Sequence, residues 1–192
     1  MKPATKPILL DFPDTLETER LILRAPRPGD GQRVFEAVAE TLGDLRRWPA
    51  SLPWALAEPS PDVSEVFCRH GCAAWITKTD LPMLVFLKEG NVLVGGSGLH
   101  SLDWTVPKFE VGYWMRRRMQ GRGLATEAVI AVTEFAQSTL GARRIEILSD
   151  AENAGSRRVA ERAGYVLEGI QRSNRIAPDG QLRDTCIYAA VK

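Results

Sequence analysis

Charged and apolar residues alternate along Glu19-Arg20-Leu21-Ile22-Leu23-Arg24-Ala25, the pattern of a half-buried strand. Pro28-Gly29-Asp30 ends it, and Asp30 is placed to cap a helix over Val34, Phe35 and Val38. Residues 41–61 show no period. Trp48-Pro49 and Pro53-Trp54 put two large aromatics on loops there. Ser60-Pro61 supplies a capping serine and a first-turn proline for a second helix, expected to run to about Lys78. Met83–Leu87 and Val92–Val94 are apolar runs on either side of Glu89-Gly90-Asn91, a hairpin signal. Gly95-Gly96-Ser97-Gly98 would prolong the second of these strands poorly, unless the strand bulges or other backbone comes close.

Phe109–Met115 reads as the fourth strand. The clearest helical period follows, with Leu124, Ala128, Val132, Phe135 and Ala136 at spacings of three and four and Gly141 as the stop. Arg144–Leu148 is a strand, and Asn153–Ala163 a short helix ended by Gly164. Two last strands, Tyr165–Arg175 and Gln181–Val191, meet at the turn Pro178-Asp179-Gly180. Residues 1–17 lack a sustained period and read as an N-terminal arm, which leaves 18–192 as one domain. The order of elements predicts an α/β (α+β) protein, a mixed sheet covered by helices.

A chain of 192 residues is long enough for one domain with a sizeable core. Its 44% hydrophobic and 26% charged residues are ordinary for a globular protein. A net charge of +1 gives no reason to expect a stable nucleic-acid partner or a membrane surface. No run approaches the roughly 20 apolar residues of a membrane span, and Ile8-Leu9-Leu10 is too short for a signal-peptide core. Three cysteines, an odd number, suit a reducing, cytoplasmic setting. The flat total hides one cluster. Arg116, Arg117, Arg118 and Arg122 precede the next acid, Glu127, and suit an anionic ligand.

That cluster surrounds a turn between a strand and the best helix, with Gly121 and Gly123 one residue apart. Such a turn presents backbone N–H groups at the positive end of a helix dipole, a ready pyrophosphate cradle. Glycine leaves room for the phosphates and permits the dihedrals. The segment lacks the lysine-serine or lysine-threonine pair of a P-loop and the three spaced glycines of a dinucleotide fingerprint.

Arg118-x-x-Gly121-x-Gly123 resembles the Arg/Gln-x-x-Gly-x-Gly/Ala signature of the GCN5-related N-acetyltransferases (GNAT). The string from Gly112-Tyr113-Trp114 to Gly123-Leu124-Ala125-Thr126-Glu127-Ala128 is similar to the branch that acetylates ribosomal-protein N-termini, the RimJ/RimL type. Asn153-x-x-Ser156-x-Arg158-Val159-x-Glu161-x-x-Gly164-Tyr165 resembles the branch's next helix, and Arg183-Asp184 with Tyr188 its closing strand. Thr18–Arg24 resembles its opening strand.

The resemblance implies a mostly antiparallel, seven-stranded mixed sheet with about four helices and a splay between the fourth and fifth strands. It implies acetyl-CoA as co-substrate, no metal, and direct attack by a primary amine in a ternary complex. The acceptor would be a protein N-terminus or a small-molecule amine. It also implies contacts for the donor: the pantetheine arm along about Met115, Arg116 and Arg117, and the pyrophosphate over Arg118, Met119, Gln120, Gly121, Arg122 and Gly123. Leu124, Ala125 and Thr126 of the helix, with Asn153 and Ser156 beyond it, complete the set. A homodimer through the sheet edge or final hairpin is compatible with this plan.

Three chemical needs remain: deprotonating the amine, a donor for the oxyanion, and a partner for the leaving thiolate. Glu110 is the candidate base, acting through water; the alternative is a strand glutamate paired with an arginine. Ser156 is the candidate thiolate partner, because Ala160 stands where many members carry a tyrosine; the alternative is a serine bonded to backbone. Asn153 suits a helix cap. Tyr113 and Trp114 should face opposite sides of their strand. Trp48, Trp54 and Trp114 are candidates for the acceptor pocket, against the plainer reading of Trp48 and Trp54 as loop anchors. Cys68-Arg69-His70-Gly71-Cys72 lacks a second ligand pair for zinc, and Cys186 reads as a buried thiol. A non-catalytic acyl-CoA sensor of the same fold is the alternative to an enzyme.

Overall fold

Leu21 and Leu23 are fully buried while Ile22 and Arg24 are half-buried, so the alternation near the N-terminus does make a strand with one core face. The computed structural model describes residues 6–192. Its elements are β1 (Thr15–Glu17), β2 (Leu21–Arg24), α1 (Gly31–Leu45), α2 (Pro61–Thr77), β3 (Leu81–Leu87), β4 (Leu93–Asp103) and β5 (Lys108–Met115). They continue with α3 (Leu124–Ser138), β6 (Arg144–Asp150), α4 (Ala154–Arg162), β7 (Val166–Ile176) and β8 (Leu182–Val191). One eight-stranded sheet runs β1-β2-β3-β4-β5-β6-β8-β7. Among the described residues, β5 against β6 is the sole parallel pairing. The mixed, mostly antiparallel sheet with four α-helices matches the expected class.

The eighth strand is β1. Residues 15–17 fall within the expected arm, yet they pair with β2 from Thr15↔Arg24 to Glu17↔Ile22. Three residues are too few to display a period, and their pairing depends on the neighbour's edge. Phe12, just before them, stands edge-on to both Trp75 and Phe135.

The sheet has a core on each face. Phe109, Val111, Ile145, Ile147 and Tyr188 pack with Leu124, Val132 and Phe135 of α3. Leu84, Phe86 and Leu93 pack with Val34, Ala37 and Val38 of α1 and Cys68 of α2. Burial on both sides explains why β3 reads as a continuous apolar run. Ser60 caps α2 as expected, its Oγ accepting from Val63 N–H at 3.1 Å. Asp30 does not cap α1. Its carboxylate instead accepts two Arg24 bonds at 2.7 Å and one from Arg27 N–H, while Gly31 N–H donates to Glu65 across the helix pair. A guanidinium reaching Asp30 from β2 outcompetes a neutral helix N–H for the carboxylate.

The glycine-rich stretch of β4 is a regular part of the sheet. It pairs with β3 and β5 simultaneously, and the register shifts between Val85 and Phe86. A Cβ at Gly98 would stand 2.5 Å from Leu81 O and 2.8 Å from Pro82 Cα; one at Gly95 would run into Trp114 O. Close backbone approach is therefore what these glycines permit.

The feature that positions the site is a seam. β5 and β6 pair only at Lys108↔Arg144, Phe109↔Ile145 and Glu110↔Glu146. Beyond Glu110 both strands continue, to Met115 and Asp150, without pairing to each other. Unpaired strand groups on either side of such a gap need a partner.

Candidate active site

The turn from β5 into α3 stands at the mouth of that splay. A 3₁₀ turn over Arg117–Met119 leads to Gly121 at φ 73° and Gly123 at φ 76°, both left-handed. Gly123 sits directly before α3. Among the described residues, no protein acceptor meets the N–H groups of Gly121, Arg122, Gly123, Leu124, Ala125 or Thr126. They converge at a helix N-terminus, the geometry of an anion cradle.

The cradle is braced from the far side of the chain. Glu127, in the first turn of α3, accepts from Thr18 Oγ1 at 2.5 Å, Arg20 N–H at 3.0 Å and Arg20 Nε at 2.7 Å. Arg20 Nη1 also donates to the carbonyl of Arg122 at 3.1 Å. Burial raises the Glu127 carboxyl, but these donors outweigh it and hold its pKa below the ordinary value. Two blocks of the family pattern, Thr18-Glu19-Arg20 and Thr126-Glu127, thus meet in one clamp.

The four arginines have different employments. Arg116 donates to Glu40 of α1 at 2.6 Å and Arg117 forms two bonds to Asp44. These two guanidiniums fasten the turn to α1, contrary to the reading of the whole cluster as ligand-directed. Their N–H groups are committed as well, to Val94 O and Thr41 Oγ1. The backbone available across the splay therefore ends near Met115. Arg118 lies 3.6 Å from Glu40 and is more than half exposed, and Arg122 is exposed. These two cations are the best placed for an anion. Met119 is buried beneath the turn, and Gln120 Nε2 donates to Met115 O at 3.1 Å, stiffening the path from strand to cradle.

Across the splay, Asn153 caps α4 by accepting from Ser156 N–H at 3.0 Å. The Ser156 hydroxyl lies 2.9 Å from the Tyr113 hydroxyl, which also donates to Ser156 O at 2.9 Å. Burial pushes the Tyr113 phenol well up, so it keeps its proton and orients the serine. Tyr113 and Trp114 do face opposite sides: the first reaches α4, the second packs in the α1–α2 core. Ala160 is fully buried.

On the α1–α2 face the sheet floors a cavity of about 520 Å³ lined by Gly96, Ser97, His100, Glu110, Gly112 and Trp114, with Val34, Val38, Leu52, Trp54, Val63 and Phe67 opposite. Trp54 and Trp114 stand 6.2 Å apart, centroid to centroid. Trp48 is not among the residues lining the cavity; the Arg47 guanidinium lies over its ring, 5.7 Å from the centroid. Glu110 accepts from Ser101 Oγ at 3.3 Å, and among the described residues no arginine pairs with it.

The sequence offered no signal for His100, which faces Glu110 across the strands and whose Nδ1 lies 2.8 Å from Asp80 Oδ1. Burial works against its imidazolium, but the Asp80 hydrogen bond, the Asp80 charge and then the Glu110 charge outweigh it, and its pKa lies above the usual histidine value. A raised histidine stabilises the fold below its unfolded pKa, about 6.5, and that contribution is lost as pH climbs through the folded value. Asp80→Asn should therefore move the His100 midpoint down, read by NMR titration of the ring; an unmoved midpoint would mean that Asp80 is not its charge partner.

A glycine cradle at a helix start beside a splayed parallel strand pair defines an anion site at the mouth of a cleft whose free strand groups can pair with a ligand chain. Residues 20–166 match the acetyltransferase (GNAT) domain family, and the chain belongs to that family of acyltransferases. Among curated relatives, YdaF of Bacillus subtilis (strain 168), provisionally named a ribosomal N-acetyltransferase, is 27% identical over 177 residues, spanning 91% of this chain and 92% of its own. Among solved structures, RimL, a ribosomal L7/L12 α-N-protein acetyltransferase in complex with coenzyme A, superposes with a TM-score of 0.79 at 20% identity, over 92% of this chain and 97% of that one. The microcin C7 self-immunity acetyltransferase MccE, in complex with acetyl-CoA and AMP, also reaches 0.79, at 21% identity over 91% and 94%. These structures share the fold. Among the described residues no group of three or more His, Cys, Asp or Glu could hold a metal ion, and no helix is long and apolar enough to cross a membrane.

Proposed function

We propose that this protein transfers the acetyl group of acetyl-CoA directly to a primary amine held on the α1–α2 face of the sheet. The observation that carries the reading is the run of unsatisfied N–H groups from Gly121 to Thr126 at the mouth of the β5–β6 splay. The pyrophosphate would rest on that run, with Arg118 and Arg122 beside it, and the pantetheine arm would lie along β5 as far as Met115, flanked by Asn153. The donor supplies an activated thioester. The protein supplies the rest. Glu110 takes the amine proton, through water, in a cavity whose apolar walls favour the neutral amine. Ser156, oriented by Tyr113, gives a hydrogen bond to the departing sulfur. Trp54 and Trp114 bound the acceptor. Three unpaired cysteines support a reducing, cytoplasmic setting, and the net charge of +1 supports no stable nucleic-acid partner.

Coenzyme A release across a panel of amines tests the reading. Ser156→Ala and Glu110→Gln should each lower kcat roughly 10²-fold with coenzyme A affinity kept, the scale of losing one acid–base group. Binding without turnover of any amine would sink the enzymatic reading and leave a sensor of the same ligand.

A further inference from the structure

The cavity beside Glu110 is mostly apolar. Val34, Val38, Leu52 and Phe67 form its walls, and the Trp54 and Trp114 rings stand tilted by 58° at one side. Its titratable lining residues are Glu110, Glu58, His100, which is backed by Asp80, and Tyr113, whose hydroxyl turns to Ser156; no lysine or arginine is among the lining residues. Of the guanidiniums on the surrounding loops, Arg46 is engaged with Glu58 and the carbonyls of Ala55 to Ala57, while Arg175 gives one hydrogen bond to the Ser51 hydroxyl. An acceptor carrying its own carboxylate or phosphate would meet Glu58 and Glu110 in the lining and no lysine or arginine there. A cavity of about 520 Å³ is of small-molecule size. A serine or alanine side chain, or a thin polycationic chain, would leave most of its apolar wall without contact. Apolar surface also continues outward, with Trp54, Val63 and Phe67 about half exposed at the rim and Leu56 and Val66 next to them.

We infer that the acceptor is a small primary amine carried on an uncharged aromatic or bulky aliphatic body, the ammonium entering toward Glu110 and the body lying against Trp54, Trp114 and Phe67. This rests on the acetyltransferase reading. Glu110 takes one proton from the ammonium, the amine nitrogen forms its bond to the acetyl carbon, the carbon–sulfur bond breaks with its electron pair going to sulfur, and a second proton from the nitrogen ends on the coenzyme A thiolate.

The test is steady-state kinetics of the full chain with acetyl-CoA and seven acceptors: tryptamine, phenethylamine, propylamine, spermidine, free phenylalanine, a peptide beginning with serine and one beginning with phenylalanine. Tryptamine and phenethylamine should exceed propylamine, spermidine, phenylalanine and the serine-led peptide in kcat/KM by at least about tenfold. Trp54→Ala should collapse the tryptamine-to-propylamine ratio, with Phe67→Ala as a second variant should the first fold poorly. A serine-led peptide or spermidine outrunning tryptamine would overturn the inference and leave the acetyltransferase reading intact. A phenylalanine-led peptide alone being turned over would overturn the small-molecule acceptor. No turnover of any amine, with coenzyme A bound, would remove both.

Discussion

Gly123→Val is expected to weaken coenzyme A binding by more than about 100-fold while the sheet stays folded. The residue holds φ 76° directly before α3, where a β-branched side chain costs roughly 1–3 kcal/mol of strain. The surrounding space is open, Arg20 Nη2 being the nearest atom to an added Cβ at 3.6 Å. Packing is therefore not the issue; the dihedral and the ligand's room are. Relaxing the turn would rotate the N–H groups of Gly123 and Leu124 away from the cradle, each a charge-assisted bond worth about 1.5–3 kcal/mol. Two such losses already exceed the roughly 2.7 kcal/mol that a hundredfold change requires. Gly141 is the control: it has φ 70° and no atom within 4 Å of an added Cβ, but it lies past the other end of α3. Gly141→Val should carry the same conformational cost and keep its affinity in isothermal titration calorimetry. Equal affinities for the two variants would show that the cradle is elsewhere.

Gly98→Ala is expected to destabilise the protein by about 3 kcal/mol, the upper range for overpacking a close-packed interior. The atoms a methyl would strike, Leu81 O at 2.5 Å, Pro82 Cα at 2.8 Å and Met83 N at 3.1 Å, are all backbone of β3, which cannot rotate aside. Relief would require β3 and β4 to separate where both are buried. For a chain of 192 residues, a loss of that size lowers the melting temperature by roughly 6–12 °C. Gly169 in β7 has nothing within 4 Å of an added Cβ, so Gly169→Ala should change stability by less than about 0.5 kcal/mol. Urea unfolding of both variants, at unchanged m-value, measures the difference. A Gly98→Ala cost below about 1 kcal/mol would mean that the strands yield.

Local patterns carried much of this architecture. The spacing of Leu124, Ala128, Val132 and Phe135 encodes α3, and Gly121-x-Gly123 before it encodes the cradle, because both are neighbours in sequence as well as in space. Gly95 to Gly98 announced a close approach without naming the partner. What stayed illegible joins distant residues. Glu127 meets Thr18 and Arg20 across more than a hundred positions, Arg116 and Arg117 turn to acids on α1, and His100 finds Asp80 only through strand register. A cluster of like charges looks the same in sequence whether it faces a ligand or a neighbouring helix. Trp48 and Trp54 likewise share a proline-flanked loop, and only its path decides that Trp54 lines the cavity and Trp48 does not.

On the proposed binding mode, the seam between β5 and β6 would give the ligand a role in cohesion. The β6-β8-β7 block joins the rest of the sheet through three register pairs, so its remaining attachment comes from helices packed across the gap. A chain lying in the splay would act as a mortar joint, tying two blocks by main-chain bonds neither can give the other. Ligand at about 100 times its Kd then adds roughly 2.7 kcal/mol to the folded state. The cell's coenzyme A pool would become a term in this protein's lifetime, and its unliganded copies the first exposed to proteolysis or to strand-edge association.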